Sequence, residues 1–428
     1  MRFDPVGPLA GDFAPPPDKS ISHRAAIVGA MSDGRVRVRG YLRSADTSAT
    51  LEAVAALGAR LVDAQPRGGG LDLELAGAGL RGADPGAAAI DVGNAGTLIR
   101  ILPGWLAGQP RGRWALQGDE SIARRPVDRI VHPLRRMGAT VDCREGGLPP
   151  IVVEGSDLHG IEYELPVASA QVKSCVLLAG LLAEDETTVV EPLPTRDHTE
   201  IMLRAGGVDV RVSDGRVTVG PQRRFELGEV DVPGDFSSAA FFIAAATLVP
   251  GSELRLRGVG VNPTRTGLLR VLERMGGNVQ IERATGAGEP AADLVVRSAQ
   301  LQGTEVEPHE VPLAIDELPL VALLGAFAEG TTIVHGAEEL RRKESDRVTT
   351  VVEGLRALGA RIEAAPDGFV VAGGGELPGG AIEARGDHRI AMLGAVAGMV
   401  SRSGVEVEGF EAAAVSYPTF ADDLRSLV

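Results

Sequence analysis

Apolar residues recur at helical spacing in five stretches of similar wording. "LEAVAALGARL" carries its pattern to Gly58 and "VHPLRRMGATVD" to Gly138. "EIMLRAGGVDVRV" carries it to Gly206 and Gly207, "LRVLERMGGNVQI" to Gly276 and Gly277, and "VEGLRALGARIEA" to Gly359. In each, a glycine follows the helical pattern and strand-like alternation follows the glycine. Glycine suits the left-handed position that closes a helix, and the period then changes from about 3.6 to 2. Successive marks stand roughly 70 to 80 residues apart, far longer than the repeats of a solenoid. The pattern predicts an α/β chain built from a helix-strand element plus further strands, used at least five times.

The sharpest punctuation is "APPPDKS" near residue 15 and "DVPGD" near residue 233. Proline and glycine there break regular structure. They set off a central block of roughly 215 residues, a size that suits one domain, and leave a short N-terminal piece to join the C-terminal half. The small-residue stretch from Ala239 to Pro250 reads as a buried helix.

Composition narrows the class. The 428 residues are 44% hydrophobic and 24% charged, as in an ordinary globular protein. No apolar run reaches the ~18 residues of a membrane span. The opening "MRFDPVGPLAG" has no continuous apolar core of the signal-peptide kind. Cys143 and Cys175 are too few for a disulfide framework or a cysteine-based metal site. The expectation is a protein of the reducing cytoplasm without a membrane partner. A formal charge of −15 argues against nucleic acid as a partner. It leaves anionic small molecules open, because a cation-lined cleft can focus positive potential inside a negative protein.

Of 43 lysines and arginines, the lysines are Lys19, Lys173 and Lys343, which leaves 40 arginines. Arginine is a planar fork that keeps its proton, whereas lysine is a compact point charge whose pKa can be tuned. A lysine in such a chain is a candidate for work that arginine cannot do.

The charged motifs cluster before apolar runs. In "PPDKSISHRAAIVGAM", Ser20 or Ser22 could cap the helix that follows, placing Lys19 and Ser20 at its positive end, with Arg24 one turn on and on the face of Ser20. In "DVGNAGTLIR", Gly93, Asn94, Gly96 and Thr97 form a turn whose backbone N–H groups can cradle an anion. It is neither a phosphate loop of the Walker type nor a dinucleotide fingerprint. "GDESIARRPVDRI" sets Arg124 and Arg125 before Pro126, which biases Arg125 to extended backbone. "ASAQVKSCVLLAGLL" places Ser169 and Gln171 at a helix start with Lys173 behind them. "PTRDHTEIML" presents Arg196, and "VPGDFSSAAFFIAAA" puts Asp235, Ser237 and Ser238 before the buried helix. In "LAIDELPLVALLGAF", Asp316 and Glu317 stand between apolar segments, which suggests a partly desolvated base with a raised pKa. In "RRKESDR", Lys343 and Arg347 would share a helix face with Glu344 beside them. "RGDHRIAM" adds Asp387, His388 and Arg389. Cations at helix starts oppose the macrodipole, and Arg24, Lys343, Arg347 and Arg389 tend that way. An anion at those starts would account for them.

The set "DKSISHR", "GNAGT", "RRP", "SAQVKS", "TRDHTE", "PGDFSSAA", "IDELP", "KESDR" and "DHRIAM", in this order, resembles the 3-phosphoshikimate 1-carboxyvinyltransferase (EPSP synthase) family of bacteria. The resemblance spans essentially the whole chain. It implies transfer of the enolpyruvyl group of phosphoenolpyruvate to the 5-hydroxyl of shikimate 3-phosphate, through a tetrahedral intermediate, on the shikimate route to chorismate. It also implies a two-domain inside-out α/β barrel with three βαβαββ units per domain and helices buried within. The domains would be 1–19 with 234–428, and 20–233, with the active site in the cleft between them. No cofactor or metal is implied, and a monomer is expected.

Site roles follow from the same resemblance. Lys19, Ser20, Arg24, Ser169, Ala170, Gln171, Arg196, Asp316 and Lys343 match positions that hold shikimate 3-phosphate. Lys19, Gly96, Arg125, Gln171, Arg347 and Arg389 match the phosphoenolpyruvate side. Asp316 matches the base for the 5-hydroxyl. Glu344 matches the group that protonates the methylene carbon and later takes a proton from the new methyl. Lys19 and Lys343 match small donors that touch both substrates. Lys173 receives no chemistry. Some members carry a C-terminal lysine where this chain has Val415 or Ser416, and a proline where it has Ile101. Gly96 is retained, which implies inhibition by glyphosate. The sister family acting on UDP-N-acetylglucosamine has Lys-Asn where this chain has Lys19-Ser20, and a reactive loop cysteine that neither Cys143 nor Cys175 matches. A non-catalytic anion binder on the same scaffold would keep the arginines without needing Asp316 and Glu344.

Overall fold

The computed structural model describes every residue except 88, 286 and 287. Contacts divide the chain into two compact units, Met1–Pro16 with Pro233–Val428, and Pro17–Val232. The expected boundaries lay at 19/20 and 233/234. Lys19 falls with the second unit because it opens that unit's first helix, Lys19–Ala30.

Each unit repeats one plan. In the unit Pro17–Val232, the strand Ala89–Asp91 pairs parallel with Arg113–Gln117. That strand pairs antiparallel with Leu148–Glu154, which in turn pairs antiparallel with Thr140–Arg144. The helix Gly96–Ala107 lies between the first two strands in sequence, and Asp128–Arg136 precedes the last two. The order is therefore βαβαββ. The sheet order first-second-fourth-third recurs for Glu162–Glu164, Thr187–Val190, Arg216–Val219 and Val210–Ser213. A third copy borrows its first strand from far along the chain, since Glu229–Asp231 pairs parallel with Arg35–Leu42. The other unit does the same, with Ala10–Phe13 beside Glu253–Gly260. Each unit thus has a repeat whose first strand comes from a distant segment.

The sixth repeat departs from the plan. Its sheet has three strands, with Gly380–Glu383 parallel to Val405–Glu408 and the chain start Arg2–Phe3 antiparallel to the latter. The helix Phe420–Arg425 follows Val405–Glu408, so the order βαβα is kept, and the chain start Arg2–Phe3 supplies the one antiparallel strand in place of a hairpin. Three repeats are therefore present in each unit, as expected, the sixth with a three-stranded sheet. The repeated glycine closes the second helix of a unit, and the sixth such helix, Phe420–Arg425, is capped by Ser426 instead, which explains the count of five. The five closing glycines stand at positive φ, from +82° at Gly207 to +100° at Gly58 and Gly359.

Burial is inverted relative to a common layered α/β fold. In one unit the helices Lys19–Ala30, Gly96–Ala107 and Ala170–Gly180 are buried almost throughout. In the other the same holds for Phe236–Leu248, Leu318–Phe327 and His388–Val400. Such helices need apolar residues all round rather than on one stripe, which is the composition of "FSSAAFFIAAATL". The strands around them alternate: Trp114 and Leu116 point inward from Arg113–Gln117 while Arg113 and Gln117 face water. Small residues permit the helix contacts. A Cβ on Gly104 would lie 2.1 Å from the Cys175 carbonyl oxygen, well inside contact distance in an interior packed to crystal-like density.

Candidate active site

The starts of the six buried helices carry most of the residues singled out by the sequence, three starts in each unit. In the unit Pro17–Val232, Lys19 is the first residue of its helix. The cap is Asp18, whose Oδ1 accepts from the Ile21 N–H at 2.8 Å. This corrects the expectation of Ser20 or Ser22. Ser22 is turned to other work, donating to the Asp18 carbonyl at 2.7 Å and accepting from Leu42 N–H at 2.9 Å. Lys19 Nζ lies 3.0 Å from Asp46 Oδ2. Arg24 is buried and reaches back to the Ser20 carbonyl at 3.1 Å. Its other nitrogens donate to Thr199 Oγ1 at 2.9 Å and Ser174 Oγ at 3.0 Å.

Gly96 opens the second of these helices with no side-chain cap. A Cβ placed on Gly96 would stand 2.9 Å from Arg125 Nη1 and 3.2 Å from Arg100 Nη1. The bare glycine therefore lies between two guanidinium groups at the positive end of a helix, a setting that favours an anion. Arg125 has extended backbone, φ −89° and ψ 126°, as the following proline requires. Ser169 caps the third helix, and Gln171 Nε2 donates to Thr97 Oγ1 at 3.1 Å. Gln171 Oε1 accepts from Arg100 Nη1 at 3.3 Å. Gln171 and Arg24 thus tie the three helix starts together within this unit. Arg196 is half-buried two residues before the helix His198–Ala205.

In the other unit the focus is Asp316. Its Oδ1 lies 3.4 Å from Lys343 Nζ and 3.3 Å from Arg347 Nη1. Its Oδ2 lies 3.7 Å from both Arg265 Nη1 and Arg389 Nη2. Four cations surround one nearly buried carboxylate. The desolvation expected for "IDELP" falls on its neighbour. Glu317 is fully buried, and burial pushes its carboxyl above the ordinary range against the pull of Arg265 and Arg389. Ser237 donates to Glu317, and Arg265 Nη2 donates to Ser237 Oγ at 2.5 Å.

Glu344 accepts from Arg347 Nη2 at 2.5 Å and keeps 22% of its side chain exposed. Arg347 is buried. Burial opposes its charge, but Asp387, Glu344 and Asp316 more than offset that and hold it firmly protonated. Asp387 is held below the usual carboxylate range, where burial is outweighed chiefly by Arg347. The helix of Arg347 runs Arg347–Ala357 with Asp346 as its cap, while Lys343 ends the preceding 3-10 turn. Lys343 and Arg347 therefore do not share a helix face, as the sequence suggested. They meet at Asp316 instead. Arg389 is the second residue of His388–Val400.

Arg265 was not singled out by the sequence reading, although a signal existed. "PTR" occurs at Pro194-Thr195-Arg196 and again at Pro263-Thr264-Arg265, each time just before a helix. Val415 and Ser416 lie at the end of the 3-10 turn Phe410–Val415 and supply no cation. Among the described residues, no group of three or more histidine, cysteine, aspartate or glutamate side chains is disposed to hold a metal ion. Among them also, no helix is long and apolar enough to cross a membrane.

Comparison with known proteins gives consistent results. The model of the EPSP synthase (3-phosphoshikimate 1-carboxyvinyltransferase) family matches residues 3–424. A 3-phosphoshikimate 1-carboxyvinyltransferase of Methylococcus capsulatus is 46% identical over 99% of this chain and 96% of its own length. One of Acidithiobacillus ferrooxidans is 47% identical over 97% of this chain and 95% of its own. The solved EPSP synthase of Acinetobacter baumannii superposes with a TM-score of 0.88 at 40% identity, covering 100% of this chain and 97% of that one. The enolpyruvyl transferase NikO of Streptomyces tendae shares the fold, with a TM-score of 0.76 at 19% identity over 100% of this chain and 96% of its own.

Proposed function

This chain belongs to the EPSP synthase (3-phosphoshikimate 1-carboxyvinyltransferase) family, and on that premise we propose that it transfers the enolpyruvyl group of phosphoenolpyruvate to the 5-hydroxyl of shikimate 3-phosphate. The observation that carries the reading is the pairing of two acids with different surroundings in one unit. Asp316 sits among four cations, and Glu344 is partly exposed against Arg347. A scaffold that only bound anions would need the cations but not these acids.

Asp316 takes the proton from the 5-hydroxyl, and the oxygen attacks the substituted carbon of phosphoenolpyruvate. Glu344 gives a proton to the methylene carbon, which becomes a methyl group in the tetrahedral intermediate. Glu344 then recovers a proton from that methyl as the carbon–oxygen bond to phosphate breaks. The products are the enol ether and inorganic phosphate, which carries away the proton taken from the hydroxyl. General acid and base steps of this kind are each worth about 10²- to 10⁴-fold.

Substrate anions compete for cations that are held by carboxylates in the structure. Lys343, Arg347 and Arg389 now face Asp316, and Lys19 faces Asp46. Phosphate and carboxylate groups of the substrates draw on these charges, with arginine forks holding them bidentately. Shikimate 3-phosphate engages Ser20, Arg24, Ser169, Ala170, Gln171, Arg196, Asp316 and Lys343. Phosphoenolpyruvate engages Gly96, Arg125, Gln171, Arg347 and Arg389, with Lys19 shared by both substrates. The enzyme works as a monomer in the cytoplasm.

Phosphate release by the purified protein with phosphoenolpyruvate tests the reading, comparing shikimate 3-phosphate with UDP-N-acetylglucosamine as acceptor. Release with the first alone supports it. Release with the sugar nucleotide alone assigns the sister activity. Release with neither, while shikimate 3-phosphate still binds, favours a binding protein.

A further inference from the structure

Lys173 is the lysine to which the reaction gives no task, and it is 1% exposed. An ammonium group has three N–H donors arranged about a point. The structure offers it three acceptors. Glu200 Oε1 is at 2.6 Å, Glu191 Oε2 at 3.0 Å and the Thr195 carbonyl at 3.4 Å. A guanidinium presents its donors in a flat fork, which cannot meet three acceptors converging on one point in a closed interior. This accounts for a lysine in a chain that otherwise uses arginine.

What the three acceptors have in common is Arg196. Thr195 immediately precedes it, and Glu200, four residues after it, lies in the first turn of the helix His198–Ala205. Glu191 grips the same loop again, its Oε1 accepting from the Thr195 N–H at 3.2 Å and also from the Thr195 hydroxyl. The neighbouring Ser174 adds a second tie, 2.7 Å from Thr199 Oγ1, and it accepts from Arg24. Lys173 and Ser174 stand just behind Ala170 and Gln171 in the helix Ala170–Gly180. The loop bearing Arg196 is thus pinned on both sides to the helix whose start is Ser169, Ala170 and Gln171. Burial raises the Glu200 carboxyl while Lys173 pulls it back, so the two acids and the ammonium depend on one another.

We propose that Lys173 is a positioning residue, whose ammonium joined to Glu191, Thr195 and Glu200 fixes Arg196 against the Ser169–Gln171 helix start and thereby sets the grip on shikimate 3-phosphate. This rests on the reading of the acceptor given above. Lys173 touches no reacting atom. Its loss loosens the hold on one substrate and leaves the chemistry of Asp316 and Glu344, in the other unit, in place.

The test is steady-state kinetics of the full chain, with each substrate varied at saturating concentrations of the other. Lys173→Met removes the ammonium. Glu191→Gln is the milder companion, because an amide can satisfy either Thr195 or Lys173 but not both. The expected result is a rise of about tenfold or more in KM for shikimate 3-phosphate. KM for phosphoenolpyruvate and kcat stay within about twofold. Lys173→Arg does not restore the lost KM. The inference is overturned if both variants fold and keep the KM for shikimate 3-phosphate. It is equally overturned if Glu191→Gln lowers kcat and raises both KM values together, as general loosening would, or if Lys173→Arg is indistinguishable from wild type. A wild-type protein that releases no phosphate with shikimate 3-phosphate overturns the underlying reading, and is told apart because the defect then precedes any substitution.

Discussion

Arg347 and Asp387 meet as two forks, with Nε 2.8 Å from Oδ2 and Nη2 3.2 Å from Oδ1, and both side chains are out of solvent. Asp387 also accepts from the Arg389 backbone N–H at 2.9 Å and from the Ser345 hydroxyl at 3.0 Å. One carboxylate therefore fixes Arg347, the start of the Arg389 helix and the loop that carries Glu344. Removing its charge leaves a buried guanidinium short of its main partner, a change that costs about 3–5 kcal/mol. Asp387→Ala lowers the denaturant midpoint accordingly and reduces turnover through Glu344. An unchanged midpoint would contradict this.

Acid stability has a specific origin in His23. The ring is fully buried, with Nδ1 2.6 Å from Thr50 Oγ1. Burial pulls its pKa down to about 3, against a partial upward pull from Asp46, while Lys19 and Arg24 add to the lowering. The unfolded chain takes up this proton near pH 6.5, and the folded one only near pH 3. The stabilisation is therefore complete above pH 6.5 and is lost as pH falls from there toward 3. The slope approaches about 1.4 kcal/mol per pH unit for the one proton. Urea midpoints of His23→Gln against wild type isolate it, since the difference between the two curves should change across this window. Parallel curves would contradict the assignment.

Gly96 lies where any side chain must push on cations. The nearest atoms to an added Cβ are the ends of Arg125 and Arg100, which can move by the few tenths of an ångström required. Gly96→Ala therefore folds normally but displaces the group assigned to the phosphoenolpyruvate side. KM for phosphoenolpyruvate should rise about tenfold or more, with KM for shikimate 3-phosphate changed far less. The same space leaves wild type open to glyphosate, and inhibition should be complete below millimolar concentrations. Millimolar tolerance of the wild type would contradict that expectation.

The repeat was legible because its signal is local. A helix closed by a glycine at positive φ needs nothing beyond its own few residues, and all five closings stand where the wording placed them. The parts that were not legible depend on partners distant in sequence. The capping of the first helix was assigned to Ser20 or Ser22 because nothing local reveals that Ser22 is occupied by Leu42. Lys343 and Arg347 were placed on one helix face, whereas the charge that gathers them is Asp316, about thirty residues earlier in the chain. Arg265 was passed over for the same reason: a guanidinium after a proline reads as a surface loop until Glu317 and Ser237 are folded onto it. Lys173 was given no task because its three acceptors lie 18 or more residues further on.

The most direct measurement compares turnover with binding in Glu344→Gln. The substitution keeps the size of the side chain and a hydrogen-bond acceptor for Arg347, but it removes the group proposed to deliver and recover a proton at carbon. Phosphate release with phosphoenolpyruvate and shikimate 3-phosphate should fall by about 10²-fold or more. The dissociation constant for shikimate 3-phosphate, measured by calorimetry, should stay within about threefold. Release at the wild-type rate with binding intact would show that Glu344 does not carry the proton and would contradict the account at its centre.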